Sequence, residues 1–182
     1  MNKLIRRLKP IDSERKCINV VVETPKGSVV KYAFDFESSF FLLSKALPDG
    51  MTFPFNFGFV PQTLAEDGDP LDVLILNEEP LISGCLLKVQ PIAVIKATQT
   101  GKGKTVRNDR IVGQALPKEV PLKFHVFKLE QKSISEIGLF FETYNKLYGK
   151  KFKVLGIGGP RKAWEIVRRA IKLHGRQNKN KK

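Results

Sequence analysis

A short acidic stretch, Glu66-Asp67-Gly68-Asp69-Pro70-Leu71-Asp72, holds the residues of this chain whose types and spacing best suit chemistry. Asp67 and Asp69 are two residues apart, so in an extended segment their side chains point the same way. Carboxylates this close raise one another's pKa unless a cation sits among them. Mg²⁺ binds such oxygens, taking one or two carboxylates and filling its other positions with water and phosphate. The stretch therefore predicts a metal-binding turn, and the competing interpretation is an Asp/Gly/Pro turn that only caps a strand.

The string Asp67-Gly68-Asp69-Pro70-Leu71-Asp72-Val73, followed by an apolar strand, resembles the signature of the soluble family I inorganic pyrophosphatases. The similarity extends from about Ile18 to Phe152. It implies a hydrolase that converts pyrophosphate to two phosphates by a metal-activated water, with two or more Mg²⁺ ions. By this resemblance Asp67 and Asp72 ligate metal, Asp69 is the general base and Glu23 tunes the metal-bound water. The residues that it assigns to phosphate binding are Lys31, Lys45, Arg110 and Tyr144.

Several positions depart from the family pattern. The family has an acid, Arg, Tyr and Lys where this chain has, in order, Ala33, Lys45, Phe57 and Asn145. A polar hairpin in the family supplies two further metal-ligating aspartates, and the matching positions here are Gln99 and Asn108. Asp109 follows one residue later. We therefore expect either that Asp109 reaches the metal through a one-residue shift or that the site keeps fewer carboxylates.

Two other functions compete with pyrophosphate hydrolysis. The lost phenol and carboxylates fit a hydrolase of another phosphoanhydride, such as a nucleotide or polyphosphate. A catalytically weakened paralogue that binds nucleic acid is the other alternative, because residues 150–182 carry +11 of the net charge of +14. Basic patches bind polyanions, but a solvated helix with a frayed tail explains the same charge. The three clustered acids argue against a pure binding module.

Composition narrows the class of protein. A chain of 182 residues with 42% hydrophobic residues predicts a single globular domain over 1–182. Cys17 and Cys85 lie in no motif, which indicates reduced thiols and a cytoplasmic protein. No stretch is long and apolar enough to span a membrane, and the N-terminus lacks the apolar region of a signal peptide. The resemblance adds a role in phosphate metabolism and a homo-oligomer, with pyrophosphate as the small-molecule partner.

Many short strands followed by helices predict an α+β fold, and the resemblance specifies an OB-like five-stranded β-barrel with two packed C-terminal helices. The predicted divisions are a basic arm over 1–16, the barrel and first helix over 17–155, a basic helix over 156–174 and a disordered tail over 175–182. Glu23 and Lys31 are expected to face each other across or near a hairpin. A capping box at Ser133–Glu136 predicts the start of the first helix. Residues 117–128 are predicted to be a loop and a short extended segment, with His125 in a structural role.

Overall fold

The computed structural model describes residues 5, 7–116 and 131–179 of the chain. These residues form strands that we number β1 to β10 and two helices, α1 and α2. The elements in order are β1 Ile11–Asp12, β2 Cys17–Thr24, β3 Val30–Phe34, β4 Phe41–Ala46, β5 Asn56–Val60, β6 Leu71–Leu76, β7 Leu86–Gly101, β8 Lys104–Arg107, β9 Arg110–Leu116, α1 Gln131–Leu147, β10 Lys151–Gly158 and α2 Pro160–Lys179.

Five strands close into a ring. β2 pairs with β5, β5 with β6, β6 with β9, β9 with β7, and β7 returns to β2. All these ladders are antiparallel except the parallel pair β6–β9. Closure removes the free edges that an open sheet would expose. The predicted five-stranded barrel, with two C-terminal helices in an α+β fold, is confirmed.

Strand β6 is buried on both faces. On β6, Val73 and Ile75 belong to the apolar cluster that includes Ile166 and Val167 of α2. Leu74 and Leu76 belong to the cluster that includes the apolar stripe of α1. Side chains of a strand alternate between its faces, so the continuous apolar run of β6 supplies both clusters. Each helix therefore packs against its own apolar cluster and stabilises the ring strands that contribute to that cluster.

Two ring strands approach closely at a glycine. A Cβ added to Gly58 on β5 would lie 2.3 Å from the backbone oxygen of Val21 on β2. No side chain fits at that distance, so the β2–β5 contact depends on the absence of one at this position.

β3 and β4 form a separate two-stranded sheet. The expected hairpin of β2 with β3 is wrong, because these strands form no ladder, but Glu23 and Lys31 do lie near each other in one cavity. Side chains connect them instead: Thr24 Oγ1 donates to Tyr32 O at 2.9 Å and accepts from Tyr32 N at 3.1 Å. Phe34 N donates to Glu23 Oε1 at 2.7 Å. Glu23 thus still lies near β3, through its carboxylate.

The ends of the chain are more ordered than the sequence predicts. Ile11 and Asp12 of the predicted arm pair with Ile18 and Cys17 as β1. Helix α2 continues to Lys179, so the prediction of disorder is wrong for residues 175–179. No helix in the described ranges is long and apolar enough to cross a bilayer.

Other boundaries also differ. Strand β10 was not predicted, and the polar hairpin is mostly paired strand, β7 with β8, rather than loop. Helix α1 begins at Gln131, before the predicted cap at Ser133, whose side chain is not described. The segment 117–128 with His125 lies outside the described residues. Strand β7 shifts register between Pro91 and Ala93, and α2 begins at Pro160, four residues after the predicted start of the basic helix at 156.

Candidate active site

One cavity of about 430 Å³ brings together residues that are far apart in the sequence. Eight of the nine residues predicted for the site line it. They are Glu23, Lys31, Lys45, Asp67, Asp69, Asp72, Arg110 and Tyr144. The acids come from β2 and the turn into β6, and the cations come from the β3–β4 sheet and from β9.

The acidic turn is shaped by its own backbone. Ala65 N donates to Asp69 O at 2.7 Å, and Gly68 N donates to Ala65 O at 3.2 Å. Gly68 has φ +95°, which glycine adopts without the steric cost that other residues meet. Asp69 N donates to Asp67 Oδ1 at 3.3 Å. The turn therefore aims Asp67 and Asp69 into the cavity, with the carboxylate of Asp69 exposed.

Burial and the repulsion of neighbouring carboxylates make Asp67 and Asp72 hard to ionise. Partial burial, with the charge of Asp72 next, raises the pKa of Asp67 to about 6. Burial also raises the pKa of Asp72, against the opposing charges of Arg110 and Lys31. A cation bound beside a carboxyl group with a raised pKa stabilises the charged form of that group. The acidic wall of the cavity is thus suited to a divalent cation.

The donor set fits a hard cation. The acids offer carboxylate oxygens, and none of the described residues that line the cavity is a His or a Cys. Within the described ranges, no three His, Cys, Asp or Glu side chains lie close enough together to hold a metal ion. Mg²⁺ does not need such a cage, because it keeps several waters and uses one or two carboxylates with substrate phosphates.

Two lysines stand directly opposite each other on the cationic wall. Lys31 on β3 and Lys45 on β4 are register partners. Like charges in this position destabilise a ladder. Lys45 Nζ lies 4.2 Å from the ring centroid of Tyr148, and burial followed by the charges of Lys31 and Lys150 lowers the pKa of Lys45. An anion between the two ammonium groups would relieve their repulsion.

Arg110 connects the two walls. It is 5% exposed, and its Nη2 lies 3.4 Å from Asp72 Oδ2. Its guanidinium carbon lies 4.1 Å from the ring centroid of Phe141, which fixes the plane of the group. Nη1 donates to Asn108 O at 3.3 Å, whereas Nε is buried without a partner in the described part of the chain. A buried donor without a partner costs free energy, so a ligand oxygen at Nε would be stabilising.

Tyr144 and Glu23 are two further buried polar residues in the cavity wall. The Tyr144 hydroxyl is also buried without a partner among the described residues, and burial raises its pKa to about 12, which keeps it protonated. Burial raises the pKa of Glu23 to about 7, although the hydrogen bond from Phe34 N opposes the shift. Tyr144 is thus a neutral hydrogen-bond donor, and Glu23 can change protonation near neutral pH.

Asp109, the ninth predicted residue, does not line this cavity. Its Oδ1 accepts from Ala97 N at 3.0 Å and from Arg107 Nε at 2.7 Å. Its Oδ2 lies 3.8 Å from Arg169 Nη2 on α2, beside a separate small cavity. The one-residue shift places this side chain on the other face of the hairpin from Asn108. Asp109 thus lies away from the acidic wall of the large cavity, which agrees with the alternative that the site keeps fewer carboxylates.

Arg169 also holds the acidic turn. Its Nη2 lies 3.1 Å from Glu66 Oε1, next to Asp67 in the sequence. Leu64 N donates to Ala170 O at 3.0 Å, so the segment before the turn is hydrogen-bonded to α2. Helix α2 thus contacts the acidic turn through one ion pair and one backbone hydrogen bond.

Sequence reasoning missed two polar residues in the cavity wall, Ser44 and Lys150. Gln99, Asn108 and Asn145, which stand at departures from the family pattern, also line the cavity. Phe57 does not; it is 2% exposed, with Lys31 Nζ 5.5 Å from its ring centroid. Lys150 follows Gly149, which ends helix α1. The direction of the Lys150 side chain depends on β10, a strand that the sequence analysis did not predict.

Comparison with known proteins agrees with this geometry. The family model for inorganic pyrophosphatase matches residues 20–174. An inorganic pyrophosphatase of Methanosarcina acetivorans is 38% identical over 170 residues, which cover 92% of this chain and 98% of the relative. One from Aeropyrum pernix is 37% identical over 173 residues, covering 92% and 96%.

Solved structures give the same result. The crystal structure of an inorganic pyrophosphatase from Neisseria gonorrhoeae superposes with a TM-score of 0.83 at 32% identity, covering 94% of this chain and 99% of that one. That from Thermus thermophilus gives a TM-score of 0.81 at 32% identity, with coverage of 94% and 98%. The sequence match over most of the chain, the shared fold and the acid-and-cation cavity lead to one conclusion: the chain belongs to the inorganic pyrophosphatase family.

Proposed function

We propose that this chain hydrolyses inorganic pyrophosphate to two phosphates with Mg²⁺ as its cofactor. The observation that carries the proposal is the cavity itself, which sets three aspartates on one wall against Lys31, Lys45 and Arg110 on the other. Pyrophosphate is a compact polyanion, so its hydrolysis depends on neutralised charge and an aligned water. Both requirements match the composition of these two walls.

Asp67 and Asp72 are the proposed metal ligands. Their raised pKa values favour a bound cation, and Mg²⁺ needs only one or two carboxylates per ion. Together with Asp69, these residues give the acidic wall of the cavity enough carboxylate oxygens for the two ions that the family resemblance implies. When bound, Mg²⁺ supplies charge neutralisation and a more acidic water.

The other side chains bind substrate and move a proton. Asp69 is exposed to the cavity and would accept a proton from the attacking water, while Glu23, with a pKa of about 7, would hold or release one nearby. Lys31 and Lys45 would bind phosphoryl oxygens between them. The unpartnered Arg110 Nε and Tyr144 hydroxyl would donate two further hydrogen bonds.

Location and assembly are part of the same proposal. Cys17 and Cys85 form no disulfide with each other, which is usual in the cytoplasm. Large apolar side chains are exposed, including Phe40 at 66%, Ile82 at 75% and Leu139 at 66%. Exposed apolar groups are common at protein–protein interfaces. We therefore infer a cytoplasmic homo-oligomer.

Phosphate release from pyrophosphate, with and without Mg²⁺, tests the function. Asp69→Asn should lower kcat by about 10²–10⁴-fold, the usual contribution of a general base, with little change in KM. Asp49→Asn, at an exposed aspartate outside the cavity, is the matched control and should behave as wild type. An unchanged rate in Asp69→Asn would remove Asp69 from the mechanism. Faster release from a nucleotide triphosphate or polyphosphate would redirect the substrate assignment.

A further inference from the structure

Helix α2 carries a stripe of cations on the side that faces solvent. The apolar side of the helix is buried in the barrel core and consists of Ala163, Ile166, Val167 and Ala170. The opposite, exposed side follows the helical spacing of three and four residues and consists of Arg161, Glu165, Arg168, Lys172, Arg176 and Lys179. A helix that only faces water usually alternates the sign of its charges, whereas this stripe is almost uniformly positive.

The cations in the middle of the stripe have no carboxylate partners. Its one acid, Glu165, lies 2.6 Å from Lys162 Nζ at the edge of the stripe. Among the residues that the structure describes, no carboxylate forms an ion pair with Arg168, Lys172 or Arg176. These three follow one another at intervals of four residues, and like charges at that interval destabilise a helix. A polyanion bound along the stripe would relieve this repulsion.

The sheet beside the helix adds further cations. Lys153 on β10 pairs with Thr98 on β7, and Gly156 pairs with Lys96. Cross-strand partners project from the same face of a sheet, so Lys96 and Lys153 lie on one face. A Cβ added to Gly156 would lie 3.8 Å from Lys96 Nζ. The glycine therefore leaves room for this lysine to cross β10.

Lys162 joins the helix stripe to this face of the sheet. A Cβ added to Gly158 would lie 2.8 Å from Cβ and Cγ of Lys162. Gly158 and Gly156 are two residues apart on β10 and so share a face. The start of α2 thus packs on the sheet face that carries Lys96 and Lys153. We call the helix stripe together with Lys96, Lys153 and Lys162 the basic face.

The basic face and the active-site cavity lie on opposite sides of the β7–β8 hairpin. Gln99 and Asn108 line the cavity. Thr98, one residue from Gln99, pairs with Lys153 and projects from the other face. A long ligand bound to the basic face would therefore leave the cavity open.

The composition of the basic face selects among polyanionic partners. A membrane-surface helix buries its apolar side in lipid, but that side of α2 is buried in the core, and none of the large apolar side chains in this described helix is exposed. Protein interfaces are depleted in lysine and enriched in aromatic residues, whereas this face consists of lysine and arginine. The stripe is about 27 Å long at ~1.5 Å per residue, which matches about eight phosphates of one duplex strand.

We propose that the basic face binds the phosphate backbone of nucleic acid without sequence preference. The proposal is independent of pyrophosphate hydrolysis, since none of the residues that form the basic face lines the active-site cavity. It adds a binding surface to the enzyme and requires no weakening of the active site. Lysine and arginine bind phosphate through charge-assisted hydrogen bonds, and each contact releases counterions, so the affinity should fall steeply with salt.

Fluorescence anisotropy of a labelled DNA duplex of about 20 base pairs, titrated with the full chain, tests the proposal. With about four contacted phosphates, the dissociation constant should rise about 100-fold between about 50 and about 200 mM salt. The helix variant, Arg168→Gln with Lys172→Gln, should weaken binding about 10- to 100-fold at the lower salt and reduce the salt slope by about two contacts. The control variant, Lys16→Gln with Lys146→Gln, removes the same charge from exposed side chains outside the basic face and should change binding less than about threefold.

A sheet variant, Lys96→Gln with Lys153→Gln, tests the other part of the basic face with α2 intact. It should weaken binding in the same direction, and it carries the test if the helix variant fails to fold. Equal loss in the helix variant and the control variant would overturn the proposal, because net charge alone would then explain the binding. Unchanged binding in both the helix and the sheet variant would overturn it too. So would stronger binding to vesicles of phosphatidylcholine and phosphatidylserine than to the duplex.

Phosphate release from pyrophosphate separates this proposal from the proposed function. The helix and sheet variants should hydrolyse pyrophosphate as wild type does, because their substitutions lie outside the cavity. A wild-type chain that binds the duplex but releases no phosphate would refute the proposed function and leave the basic face as a nucleic-acid surface. A wild-type chain that hydrolyses pyrophosphate but does not bind the duplex at low salt would refute the role of the basic face alone.

Discussion

Replacing Glu23 by Gln should stabilise the metal-free protein at alkaline pH. Burial raises the pKa of Glu23 from 4.5 to about 7, although the Phe34 N–H and Lys31 favour the charged form. At about 1.36 kcal/mol per pKa unit, ionising this buried carboxyl costs the folded state about 3 kcal/mol. The glutamine oxygen can still accept the hydrogen bond from Phe34 N, so the substitution removes the charge and keeps the contact to β3.

The sign follows from proton linkage. Below the unfolded-state pKa of 4.5 both states are protonated, and Glu23 adds no pH dependence. Between 4.5 and about 7 the folded state keeps a proton that the unfolded state has released, so the free energy of unfolding falls as pH rises. Above that range the full penalty is present. The advantage of Glu23→Gln should therefore grow from near zero to about 3 kcal/mol across this window.

Urea unfolding in the presence of a chelator measures this advantage. Wild type and Glu23→Gln are compared at about pH 5 and about pH 8, and the difference between the two proteins isolates Glu23 from the other titrating groups. Asp67, with its pKa of about 6, titrates in both proteins and largely cancels. If the two proteins show parallel pH profiles, Glu23 does not titrate as its burial implies. That result would refute the reasoning.

Three further substitutions have expected outcomes. Lys45→Met should raise the free energy of unfolding by about 0.2–1 kcal/mol, because it removes one of two facing like charges, and should weaken phosphate binding about tenfold or more. Gly58→Ala should lower the free energy of unfolding by about 1–3 kcal/mol or more, because the added Cβ would lie 2.3 Å from a backbone oxygen. Arg169→Ala should raise the Mg²⁺ concentration for half-maximal activity by about two- to fivefold, the value of an exposed ion pair, because the arginine pairs with Glu66 beside the acidic turn.

Each of these variants has its own control and its own contrary result. Lys45→Met has two readouts, stability and phosphate binding, and a loss of stability would show that the contact of Lys45 with Tyr148 outweighs the repulsion from Lys31. Gly175→Ala, where a Cβ meets nothing within 4 Å, should be neutral or slightly stabilising in urea. A Gly58→Ala protein as stable as Gly175→Ala would argue against close packing. Lys172→Ala, exposed on the same helix, should leave the Mg²⁺ dependence unchanged, and a shift equal to that of Arg169→Ala would indicate a non-specific charge effect.

Local chemistry was predictable because single residues dictate it. Pro70, Gly68 and the apolar run that follows indicated a turn leading into a strand, and the structure has that turn followed by β6, Leu71–Leu76. Helix α2 begins at Pro160, because proline suits a first helical turn. These signals act over a few residues and need no knowledge of distant partners.

Long-range pairing was not predictable in the same way. Glu23 and Lys31 suggested a hairpin by spacing, but Thr24 satisfies the backbone of Tyr32 with its side chain, and β2 pairs elsewhere. Asp109 differs from Asn108 by one position, and in a strand-like segment that changes the face on which a side chain lies. Only the positions of Arg107 and Arg169, both fixed by tertiary packing, reveal that Asp109 serves an ion-pair network.

The separation of the β3–β4 sheet from the five-stranded ring has a mechanical consequence. An isolated two-stranded ribbon is marginally stable on its own, and this one carries Lys31 and Lys45 while the ring carries the acids. A diphosphate bound by both parts would connect the β3–β4 ribbon to the five-stranded ring. Ligand binding and the docking of the ribbon onto the ring would then be thermodynamically coupled. Amide hydrogen exchange should therefore slow more in Val30–Phe34 and Phe41–Ala46 than in the ring when phosphate is added. Release of the second phosphate would then coincide with loosening of the ribbon rather than with any change inside the ring.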